Sequence, residues 1–361
     1  MPLVKSLRRS ARIAACAVIL SAAINAEKPS FTVAWSVYAG FDPYPYMGSS
    51  GILSKWADKY GVSIKLRRFD YAASVDAFVS KNVDACAMTN MEALDMPAAA
   101  GVETTVTIVG DFSNGNDMLM TRNGLTLRDL RGRKVLLVQK TVSQYLLERA
   151  LALNGLESLT HRLKLINTTD LDIAAAFLSD ASVGAVATWK PMALQIAGAN
   201  GVKTIFNSSQ IPGEIVDLLA IRTEVLQRPD GSGQKFAKAL SGAWYEVMGL
   251  MSGQSATAEK VRKEVAVAAQ DSYATFSDQI RTTNLFYSPQ AALEFMNASA
   301  FQQKMNLVRQ FCFSHGLLGD NTKSVDDVAI EYPDGTVHGK PDRVRLRFDT
   351  TYTRALATKG S

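Results

Sequence analysis

Cysteine and histidine are scarce: the 361 residues contain three of each. His161, His315 and His338 stand apart, and none belongs to a cluster with metal-ligand spacing. The chain has no Gly-x-Ser-x-Gly element and no Walker loop. These gaps argue against metal, acyl-transfer and nucleotide chemistry, so no catalytic residue, no metal and no cofactor is expected, and the chain is read as no enzyme. Long apolar runs are missing too. Beyond the first 26 residues no stretch approaches the ~20 apolar residues of a bilayer-spanning helix. Low-complexity linkers and repeats are absent as well.

Acidic residues are missing from the first 26 positions, which carry Lys5, Arg8, Arg9 and Arg12 ahead of the apolar run 13–20 and the small residues up to Ala26. That order predicts a signal peptide over 1–26, cleaved near Ala26, and a periplasmic mature protein. Loss of those four positive residues takes the net charge from +5 to about +1. The basic balance is then a property of the leader and argues for no nucleic-acid partner. Cys16 leaves with it. Cys86 and Cys312, each in apolar surroundings, read as two buried thiols, with one long-range disulfide as the alternative.

The remaining residues suffice for two domains with their own cores. Strands at 31–38, 63–69, 85–88 and 104–110 alternate with helices at 52–60, 72–80 and 91–100, and 40–51 reads as a loop around Pro43 and Pro45. A second unit begins near Leu125, with strands at 135–138, 163–167, 183–188 and 203–206 and helices at 141–154, 171–179 and 192–197. An apolar run at 215–221 leads back, and helices follow from Gln234. The last forty residues are turn-rich with strand content near 344–348. Alternation of this kind predicts an α/β fold with parallel-rich sheets covered on both faces.

The segment TLRDLRGRKVLLVQKTVSQYLLERALALNG at 126–155 resembles the opening of the second lobe in ABC-importer binding proteins of the nitrate, sulfonate and taurine type. SVGAVATWKPM at 182–192, AWSVYAGFDPYPY near the start and NVDACAMTNMEAL at 82–94 resemble further elements of that family, in order. GFDPYPYM and GDFSNGND look closest to its urea-carboxylase-associated branch. The resemblance implies a two-lobed periplasmic binding protein fold (type II), two mixed sheets flanked by helices with a hinge between lobes. Lobe 1 would comprise 27–120 and 223–361, and lobe 2 would comprise 121–222, with crossovers near Met118 to Arg122 and near Arg222. The implied partners are a small-molecule ligand and the permease and ATPase subunits of an importer. Separately, a monomer is expected.

Open α/β sheets bind ligands beyond the carboxyl ends of their strands. That rule gives Trp35, Tyr38, Phe41, Asp42 and Tyr44 around the first loop, Thr89, Asn90 and Glu92 after the third strand, and Asp111 and Ser113 after the fourth. The second lobe adds Thr141, Ser143 and Trp189, with Glu214, and Asp217 close by, near the returning strand. Simpler roles compete: Thr89 and Ser143 suit helix caps, Asp111 a turn, and Trp189 lobe core. Anion receptors need arginine, lysine or free helix amides here. This mouth offers carboxylates and aromatic rings instead, which suit a planar nitrogen cation. Guanidinium ranks first and urea second, with Lys140 as the contrary charge. Nitrate-, sulfonate- or taurine-like anions are the alternative, and a thiamine-pyrimidine-synthase-like enzyme of the same fold is the alternative of another class.

Overall fold

A computed structural model describes residues 27–358. The expected signal peptide lies outside those residues. The chain starts a first sheet with β1 (Ser30–Trp35), β2 (Ser63–Arg68), β3 (Ala85–Thr89) and β4 (Thr104–Ser113). It then builds a second sheet from β5 (Asp117–Arg122), β6 (Lys134–Leu137), β7 (Lys164–Asn167), β8 (Val183–Trp189) and β9 (Val202–Asn207). β10 (Val216–Arg222), β11 (Thr283–Leu285), β12 (Ala329–Glu331), β13 (Val337–His338) and β14 (Val344–Phe348) return to the first.

The strand orders are β13-β12-β14-β4-β10-β3-β1-β2, with β11 on β4, and β7-β6-β8-β5-β9. β1, β2 and β3 run parallel, as do β6, β7 and β8, so the carboxyl ends of each group share one edge. β3 and β8 are buried at every residue, the pattern of central strands covered on both faces. β2 is the edge, and its Lys65, Arg67 and Arg68 charge that edge against further pairing.

Three expectations change. Residues 40–51 are no plain loop: Pro43–Ser49 is helical, because Pro43 at the first turn needs no amide partner and Tyr44 and Met47 bury one face. Residues 118–122 are not a crossover but part of β5, paired with β8 and β9, so the chain crosses at 114–116. β10 lies not in the second unit but between β3 and β4, and the return crossing falls at 208–215. The sequence shows the strand, but its partners lie more than 100 positions away. Ser113 and Ser208 hydroxyls, 2.7 Å apart, tie the two crossings together.

Cys86 and Cys312 are separate buried thiols. The C-terminal strands extend the sheet from β4, leaving the two-residue β13 as its edge.

The helix Ser232–Met251 covers the first sheet, and Phe236 stacks on Phe31 with ring centres 4.4 Å apart. Near its start, a Cβ on Gly233 would lie 1.9 Å from the Val225 carbonyl oxygen and 2.7 Å from that of Leu226. Backbone atoms cannot swing aside, so Gly233→Ala should destabilise the protein by roughly 1–3 kcal/mol. An unchanged thermal melt would contradict this packing.

Candidate ligand-binding site

The two sheets face each other across a narrow cavity. Parallel strand ends deliver its walls. Tyr38 and Phe41 follow β1, Tyr71 follows β2, and Thr89 ends β3. From the second sheet come Asp117 at the start of β5, Val142 at the start of the helix Val142–Leu153, and Trp189 at the end of β8. Ser36, Ile215 and Asp217 complete the lining. None of these ten residues is lysine or arginine.

Four rings line the space as two edge-on pairs. Tyr38 and Phe41 meet at 5.3 Å, and Tyr71 meets Trp189 across the lobes at 5.6 Å. Glu92 sits behind this wall. It accepts from the Tyr71 hydroxyl at 2.7 Å, from the Thr89 hydroxyl, and from the Val142 amide of the other lobe at 3.2 Å. Burial raises its pKa.

The polar lining is acidic and buried. Burial pushes Asp117 up to about 7, opposed by its bond with Ser113 and reinforced by the Glu92 charge. Asp217 is driven well above the carboxylate range, first by burial and then by the Asp111 charge. Its Oδ2 makes no hydrogen bond of ordinary geometry, although the Asp111 and Tyr38 side chains face it. The Tyr38 hydroxyl is turned toward Asp217 and Thr283.

A second, smaller cavity adjoins the first, sharing Phe41 and Asp217. Tyr44, Trp244 and Asp111 wall it. Burial raises Asp111 to about 7.

The residues expected from sequence divide into three groups. Tyr38, Phe41, Thr89 and Trp189 line the main cavity, and Tyr44 and Asp111 the inner one. Others serve the frame. Asn90 holds the return crossing, donating to the Glu214 carbonyl at 3.0 Å and accepting from the Val216 amide at 3.0 Å. Glu214 is gripped by Arg149 at 2.7 and 2.9 Å and by the Tyr145 hydroxyl at 2.5 Å. Thr141 caps the helix Val142–Leu153, and Ser113 joins the crossings. Ser143 is buried with its hydroxyl unpaired, outside the lining. Trp35 and Asp42 lie elsewhere: Trp35 borders a surface groove with Arg68, and Asp42 is buried behind the loop with both oxygens unpaired. Lys140 is exposed and lines neither cavity. Lys190, next to Trp189, turns away to Asp278 at 2.5 Å and Thr282 at 3.0 Å, bridging the lobes.

Reading the sequence missed Ser36, Tyr71, Asp117, Val142 and Ile215. The strand-end rule, applied after β2, would have found Tyr71.

Two sheet-centred lobes, two crossings and a cavity between facing strand ends make this the α/β periplasmic binding protein fold. Neither a protein-family model nor a curated protein matches the chain. Similar solved structures include the alkanesulfonate-binding protein SsuA from Xanthomonas axonopodis pv. citri bound to MOPS, with TM-score 0.65, 14% identity, and coverage of 81% of this chain and 95% of that one. The periplasmic aliphatic sulphonate binding protein SsuA from Escherichia coli gives 0.61, 16%, 80% and 94%. A periplasmic sulfonate-binding SsuA from Methylobacillus flagellatus KT gives 0.65, 13%, 92% and 94%. At such identities the likeness is one of fold. Among the described residues no helix is long and apolar enough to cross a membrane.

Proposed function

We infer that this chain is the extracytoplasmic solute-binding component of an ABC importer, closing two lobes around a small planar nitrogen cation. Guanidinium is the first candidate and urea the second. The observation that carries the reading is the lining itself: two buried aspartates and four aromatic rings, without lysine or arginine. A buried carboxylate gains most from a paired N–H donor of opposite charge, and ring faces add roughly 0.5–2 kcal/mol for a desolvated cation. An anion would find no lysine or arginine in the lining, and a charge buried without a counterion costs rather than stabilises.

Capture by closure fits the contacts that now join the lobes: Tyr71 with Trp189, Glu92 with the Val142 amide, and Lys190 with Asp278. Opening separates them together, and the two crossings at 114–116 and 208–215 serve as hinge. The receptor would work in the periplasm, delivering to a permease and its ATPase.

The sulfonate reading draws on the neighbours above, which are described as sulfonate-binding. Calorimetric titration of refolded, ligand-stripped protein with guanidinium, urea, nitrate and taurine separates the two. Guanidinium should bind most tightly. Tight taurine or nitrate binding with no guanidinium response would overturn the cation reading.

A further inference from the structure

Asp217 on β10 and Asp111 on β4 stand directly opposite each other in the antiparallel register. Asp111 is fully buried and Asp217 is 2% exposed, and both Asp111 oxygens and Asp217 Oδ2 accept from no backbone amide and no basic side chain, facing one another and Tyr38 instead. The pair spans the wall shared by the two cavities, so Asp217 meets the main cavity while Asp111 faces the inner one. A Cβ on Gly40 would come within 2.3 Å of Asp111 Oδ2, so the bare glycine backbone is what leaves room for this carboxyl.

We propose that the Asp111–Asp217 pair is a proton store coupled to ligand capture, holding its protons while the cavity is empty and releasing one when a cation enters. This rests on the cation reading above. Like charges this close and this buried do not both ionise without a countercharge. The ionisable groups facing the pair supply none. Asp117 approaches from β5, Tyr38 from the loop after β1, Tyr44 from the helix Pro43–Ser49, and Tyr287 from beyond β11. All of them are acids, and Glu92 adds its charge against Asp117. Burial accordingly favours the protonated forms of all three aspartates.

An entering cation reverses the balance. The Asp217 O–H bond breaks with its electron pair left on oxygen, the proton passes to solvent, and the new carboxylate is neutralised by the ligand. A neutral amide such as urea supplies no charge and draws out no proton. The store is thus a specificity device: it separates guanidinium from urea increasingly as pH rises.

The test is calorimetry of the full mature chain with guanidinium chloride at about pH 6.5, in buffers of different ionisation enthalpy. The expected result is release of about one proton per cation bound, with affinity falling about tenfold per pH unit on acidification below neutrality, while any urea affinity stays flat. Guanidinium binding whose enthalpy ignores the buffer and whose affinity ignores pH overturns the store and leaves the cation reading standing. No guanidinium binding at all overturns both. In Asp111→Asn the proton count should fall and the pH dependence should move to lower pH. An unchanged count in a folded variant also overturns the assignment, and the buffer series on the native chain decides alone if that variant fails to fold.

Discussion

Asp217→Asn should weaken guanidinium binding by about ten- to a hundredfold, because a charge-assisted hydrogen bond contributes roughly 1.5–3 kcal/mol. The substitution keeps shape and removes charge, so the loss reports electrostatics rather than packing. Asp217 is a lining carboxyl whose Oδ2 accepts from no backbone amide or basic side chain, on a strand fixed between two others. The unliganded variant should melt no lower than the native protein, since removing a desolvated carboxyl relieves a cost. Titration calorimetry with a melting control reads both. Full affinity in Asp217→Asn would remove this residue from recognition.

The second large effect concerns the frame. Arg149→Met leaves Glu214 buried with only the Tyr145 hydroxyl as partner, after losing two guanidinium contacts of 2.7 and 2.9 Å. Breaking a buried pair from one side costs about 3–5 kcal/mol. The Arg149 side chain is 23% exposed, which screens part of that, so a loss of about 2–4 kcal/mol is expected in urea denaturation. Because Glu214 sits in the return crossing and Arg149 on the lobe-two helix, the same change should loosen the hinge. Replacing Glu214 by Gln in the Arg149→Met background should recover part of the stability. A single variant as stable as the native chain would show that the pair contributes nothing net.

The alternation of strands and helices was legible because β3 and β8 are short, mostly apolar runs and the helices carry clear ends. Strand partners were not. The apolar run at 215–221 reads as a strand in any setting, and only long-range pairing decides that it sits between β3 and β4. Site residues were legible where a strand end is enough to place them, as for Tyr38, Phe41, Thr89 and Trp189. Parity decided others: at the end of β1, Trp35 points to the outer groove and its neighbour Ser36 to the cavity.

Polar residues at strand ends proved the least readable. Glu92 and Glu214 have the same carboxyl chemistry as Asp117 and Asp217, and Asn90 is a polar neighbour, yet the hydrogen bonds of these three are spent on Tyr71, on Arg149 and on backbone. Which carboxyl keeps a free oxygen depends on neighbours that are remote in sequence. The acidic, aromatic character expected of the mouth nevertheless recurs in the cavity lining, carried partly by different residues.

Guanidinium should occupy this cavity. A crystal structure grown with guanidinium tests it most directly. A planar group should lie against the Trp189 ring with its N–H bonds directed to Asp117 and Asp217. A cavity that stays free of guanidinium and instead takes up a sulfonate would contradict it.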